Sequence, residues 1–172
     1  MTRTTNARLA GFTFLFYIAA GIGSLVLAGR AHATDVLSVL TSLAALVLAV
    51  TLYAITREQD PDLAMLGLTC RVVEAIPGHA GPVFFAVGST VFAWLLLRGR
   101  MIPVALAWLG VLASVLLVLI LLLQRAGLFE GAVNWSSSTA WLLWFPLLVF
   151  EVALALWLLI KGVAASTPRQ SA

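Results

Sequence analysis

The chain has 172 residues, 62% of them hydrophobic and 10% charged, whereas soluble domains carry roughly 45 to 50% apolar and about 25% charged residues. A water-soluble core cannot absorb that excess without outward apolar patches far above what soluble monomers tolerate, so lipid is the solvent that fits. The net charge of +3 comes from basic residues scattered singly between apolar runs, which excludes a nucleic-acid interface, and the lone Cys70 excludes an internal disulfide and any cysteine-cluster metal site.

An apolar run of about 18 or more residues predicts a helix that crosses the bilayer, because the hydrocarbon core is about 30 Å thick. The chain reads as an all-α membrane protein, one domain over residues 1–172 built as a bundle of about six transmembrane helices. Arg3 and Arg8 precede the first run, 9–28, which is longer than the apolar part of a signal peptide and is expected to be a retained helix. The second run, 36–56, follows Asp35, a candidate cap. Asp60-Pro61 places a capping carboxylate and a proline where the third helix, 63–76, starts.

The segment Pro77-Gly78-His79-Ala80-Gly81-Pro82 then breaks the chain before the fourth helix, 82–97. The third and fourth helices are short. They read either as two thin spans joined by a tight turn or as a re-entrant hairpin; charge on both outer flanks favours two spans, which local thinning of the bilayer accommodates. The fifth helix covers 102–124 and the sixth 139–160, with Ser136, Ser137, Ser138 and Thr139 available as caps.

Lysine and arginine in short loops set orientation. One side collects Arg3, Arg8, Arg57, Arg98, Arg100, Lys161 and Arg169, the other only Arg30 and Arg125, so both termini of this multi-pass chain are expected in the cytoplasm. Two halves of three helices each suggest the inverted repeat of some transporters, although 9–78 and 82–162 share no residue-level similarity.

The residues that stand out chemically are the ionisable ones inside predicted helices: Arg71, Glu74 and Glu151. A central charge costs about 2.5 to 3.5 kcal/mol on insertion, so each is expected to be paired or to face an internal cavity. Arg71 lies nine residues beyond Asp62 and Glu151 ten before Lys161, or about 13 and 15 Å from the same surface. The two therefore reach one level. Glu74 lies a turn from Arg71 on the same face, and Tyr17 sits deep enough in the first helix to join them. Such a cluster is equally a ligand site or a structural clasp that fixes helix register. His32 and His79 share one side of the membrane without ligand spacing, so no metal site is expected. No phosphate-binding glycine loop, nucleophile elbow or zinc-protease motif is present, and no cofactor is implied.

Four segments carry a resemblance to known sequences. They are Ala7-Arg8-Leu9-Ala10-Gly11, Cys70-Arg71-Val72-Val73-Glu74-Ala75, the stretch Ile102-Pro103-Val104-Ala105-Leu106-Ala107-Trp108-Leu109-Gly110, and Phe150-Glu151-Val152-Ala153-Leu154-Ala155-Leu156-Trp157-Leu158-Leu159-Ile160-Lys161-Gly162. Through them the chain resembles the bacterial six-helix integral-membrane family known only as domain of unknown function four-three-eight-six. The connection between the third and fourth helices looks abbreviated against that family's pattern. The resemblance implies a bacterial inner-membrane protein and no established reaction. The function expected from the residues is binding or transport of a small molecule or lipid in an intramembrane polar cavity. The alternatives are an intramembrane enzyme, with Glu74 or Glu151 as acid or base and Arg71 holding an anionic group, and an accessory subunit of a membrane complex. The bilayer is the partner all three share.

Overall fold

Away from water every backbone N–H and C=O must be satisfied within the chain, and helices do so residue by residue. The computed structural model describes residues 2–76, 81–128 and 138–164, the side chains of 138–143 excepted. It contains α1 (Arg3–Val26), α2 (Ala31–Thr56), α3 (Pro61–Glu74), α4 (Gly81–Arg98), α5 (Val104–Arg125) and α6 (Ser138–Ile160), with no strand among the described residues.

Helices α1, α2, α4 and α5 are long and apolar enough to cross a bilayer, and Trp144–Ile160 of α6 forms a shorter apolar stretch. Helix α3 has 14 residues, about 21 Å at the usual rise and thus shorter than the hydrocarbon core. Helix α4, at 18 residues, is longer than its sequence suggests.

The boundaries carry one correction. Helix α2 starts at Ala31, and Arg30 occupies the cap position without a side-chain hydrogen bond. Asp35 therefore lies inside the helix and does not cap it. No proline or glycine between Ala31 and Val36 forces a later start. Asp60 does cap α3: its Oδ1 accepts from the Leu63 N–H at 3.2 Å, with Pro61 as the first helical residue. Ser136, Ser137, His79 and the Pro77–Ala80 break lie outside the described residues, as do the side chains of Ser138 and Thr139.

Each helix packs against its neighbours in sequence, and α6 returns onto α1, so the six close into a ring. The end that carries residues 2 and 164 is densely filled. Leu52, Ile55, Leu95, Leu96, Met101 and Leu158 are buried there, the Arg98 guanidinium meets Asp60 at 3.3 Å, and the Ala164 N–H donates to the Met101 carbonyl at 3.1 Å. Outward faces are apolar: Phe12, Val39, Val50, Leu112 and Leu119 are each more than half exposed. Lipid covers such a surface at no cost.

Without a hydrophobic driving force between helices in lipid, close packing of small residues carries the association. At Gly11 of α1 an added Cβ would stand 2.6 Å from the Ala155 carbonyl oxygen of α6, and at Gly110 of α5 it would stand 2.5 Å from the Phe150 ring. These two contacts hold α6 between its neighbours. Gly110→Ala is therefore expected to lower stability by about 1 to 3 kcal/mol through overpacking, read by thermal unfolding in a mild detergent, whereas Gly21→Ala, where a Cβ meets open space, should leave it unchanged or slightly raised.

Candidate functional site

The last turn of α3 sets the site. Spacing of three residues puts Arg71 and Glu74 on one face, and the Arg71 Nη1 lies 2.7 Å from Glu74 Oε2. Tyr17, midway along α1, donates its hydroxyl to the other Glu74 oxygen at 2.8 Å. Both Glu74 oxygens are thus occupied. Glu151 enters from α6, with its Oε1 3.8 Å from Arg71 Nη2; that distance is an ion pair without a hydrogen bond.

Aromatic rings replace water around the guanidinium. The Arg71 Cζ sits 4.7 Å from the centroid of Phe85 and 6.0 Å from that of Phe14, within the range at which a ring face attracts a cation. Phe85 also stacks against Tyr17, with centroids 6.5 Å apart, and tilts against Trp144 at 5.6 Å. Arg71 is 1% exposed. With one cation beside two carboxyls, the cluster formally carries one negative charge more than it can cancel when both are ionised.

Two spaces adjoin the cluster. The smaller, about 10 Å³, is lined by Arg71, Ser89 and Glu151 among apolar residues, and Arg71 Nε, Ser89 Oγ and Glu151 Oε1 make no hydrogen bond within the described residues. It has the size and the polar partners that a single buried water needs. The larger is a cavity of about 780 Å³ bounded by α1, α2, α4, α6 and the last turn of α3, and it reaches the end of the ring that carries the α1–α2 connection. Tyr17, Glu74 and Glu151 form its inner end.

The cavity wall has two characters. Ile18, Ile22, Leu25, Phe85, Trp144 and Phe145 make it apolar on one part, while Thr34, Ser38, Thr41 and Ser42 of α2 present hydroxyls on another, with Asp35 near the mouth. The four sequence-derived residues, Arg71, Glu74, Glu151 and Tyr17, are brought into one connected set. Arg71, however, lines only the small space and is screened from the cavity. Its Cζ lies 4.7 Å from the centroid of Phe85, which is among the residues that do line the cavity.

Phe14, Phe85, Ser89 and the hydroxyl stripe were not evident from composition. A signal for the stripe did exist: Thr34, Ser38, Thr41 and Ser42 recur at helical spacing on one face of an otherwise apolar helix. Among the described residues no group of His, Cys, Asp or Glu could hold a metal ion.

Residues 78–162 match the family described as Domain of unknown function (DUF4386). The chain resembles that family over a stretch that takes in α4, α5 and α6, and therefore Phe85 and Glu151 but not Arg71, Glu74 or Tyr17. No curated protein and no solved structure matches the chain.

Removing the cation strands two buried carboxyls. Arg71→Met is expected to cost about 3 to 5 kcal/mol, and combining it with Glu74→Gln and Glu151→Gln should recover at least half of the loss in thermal unfolding. Tyr17→Phe deletes one hydrogen bond and should cost about 0.6 to 1.7 kcal/mol, as such bonds do inside membranes. An Arg71→Met protein as stable as the parent would remove the energetic role assigned to the pair.

Proposed function

We propose that this chain binds a small amphipathic molecule or lipid in the cavity, with the ligand's apolar body against the aromatic and aliphatic wall and its polar end at Tyr17, Glu74 and Glu151. The observation that carries this reading is a cavity of about 780 Å³ that ends on buried polar groups. Its size falls in the range of about 300 to 1,000 Å³ typical of small-molecule sites, and a mostly apolar wall with a few convergent polar groups is their usual make-up.

Orientation supports an outward-facing mouth. Arg3, Arg8, Arg57, Arg98, Arg100 and Lys161 belong to the packed end of the ring, against Arg30 and Arg125 at the open end, and the basic end of a bacterial inner-membrane protein faces the cytoplasm. The cavity then opens away from it. Because Leu48, Leu52, Ile55, Leu95 and Leu96 fill the bundle below the site, binding fits this conformation, and passage across the membrane requires a second one.

Two experiments test the reading. Dodecanol, a neutral amphiphile, should raise the unfolding temperature of the purified chain, by the equivalent of about 2.7 kcal/mol at a hundredfold excess over Kd, and Ser42→Trp, which fills the cavity, should abolish the rise. Equal responses from both proteins would place binding elsewhere. For orientation, in a Cys70→Ala background, a membrane-impermeant maleimide applied to intact cells should label Ala126→Cys and spare Thr4→Cys; the opposite pattern would turn the chain over.

A further inference from the structure

We infer that the cavity selects a lipophilic organic cation, an inference that rests on the binding reading above and names the chemical class of its ligand. Three carboxylates line the cavity, Asp35, Glu74 and Glu151, and no lysine or arginine does so among the described residues. Glu74 is already satisfied, held by Arg71 at 2.7 Å and by Tyr17 at 2.8 Å.

Glu151 is not. It is 5% exposed and lines both the small space and the cavity, and its Oε1 accepts no hydrogen bond within the described residues and stands 3.8 Å from a guanidinium that is hydrogen-bonded to Glu74. A buried carboxylate left short of partners favours an added positive charge and repels a negative one. Around it, the aromatic residues Tyr17, Phe85 and Trp144 line the cavity, and aromatic rings attract ammonium and phosphonium groups that have shed their water.

The three features act together. The wall accepts an apolar body, the rings accept a diffuse cation, and Glu151 supplies the countercharge that Arg71 leaves unspent. A phosphate or carboxylate group would meet three carboxylates, while the one nearby guanidinium lines only the small space. The ligand's positive group can belong to a free hydrophobic amine or to a lipid ammonium headgroup, since both present the same chemistry to Glu151.

Tetraphenylphosphonium and tetraphenylborate have nearly the same shape and opposite charge, so they separate sign from hydrophobicity. Titrated calorimetrically into the full chain in a neutral maltoside detergent, the cation should bind at least about tenfold more tightly than the anion, the scale of one modest charge interaction. Glu151→Gln should erase most of that preference, and Asp35→Asn, at the mouth, should reduce it less. Equal binding of the two ions to the parent protein would overturn the inference and leave the cavity reading standing. Failure of both ions and of dodecanol would remove the cavity reading itself. Should Glu151→Gln not fold, the parent's preference and the Asp35→Asn result still decide. Displacement of bound phosphonium by added phosphatidylethanolamine would assign the cation to a lipid headgroup, and retention would assign it to a free amine; either supports a cation site.

Discussion

A guanidinium sealed inside an apolar helix ring is the constraint from which the rest follows. Arg71 is cut off from both water and lipid headgroups, so its charge must be met locally. Glu74 meets it from the same helix, Glu151 from α6, and Phe14 and Phe85 cover it with ring faces. Because these partners come from α1, α3, α4 and α6, the charge ties together helices that are far apart in sequence. Loss of any one of those helices would leave a buried ion exposed to hydrocarbon.

The same arrangement makes the bundle asymmetric along its axis. Toward residues 2 and 164, close approaches such as Gly11 against Ala155 let the helices fill the centre with leucine, isoleucine and methionine. Beyond Arg71 the helices enclose the cavity. Its inner end is acidic because the guanidinium turns toward Glu74 and the small space and away from the opening. Charge cancellation that stabilises the fold thus leaves Glu151 under-satisfied beside an apolar, aromatic wall, and the proposed binding rests on that pairing.

Much of this can be read from the residues, and the limits have physical causes. Long apolar runs declare helices because lipid admits few alternatives, and a fixed rise per residue brings Arg71 and Glu151 to the same depth before any packing is known. Which way Arg71 points is another matter. It goes with the packing of Phe85, which lines the cavity and whose ring centroid is 4.7 Å from the guanidinium carbon, and one phenylalanine among nine carries no mark of that role in the sequence. Asp35 misleads for a similar reason: a carboxylate ahead of an apolar run resembles a cap, yet Ala31 and the residues after it extend the helix past it and leave Asp35 at the cavity mouth. The hydroxyl stripe of α2 was legible in its spacing, but its meaning required knowing that this face turns inward.

What stands to be tested is whether Arg71 stays neutralised inside the ring while Glu151 meets a ligand. The most direct measurement is an electron-microscopy or crystal structure of the chain in lipid nanodiscs soaked with tetraphenylphosphonium. Density for the cation is expected between Glu151, Phe85 and Trp144, with the Arg71 guanidinium still paired to Glu74. Acyl chains alone in the cavity, with Arg71 turned outward to headgroups and both glutamates remote from it, would contradict that arrangement.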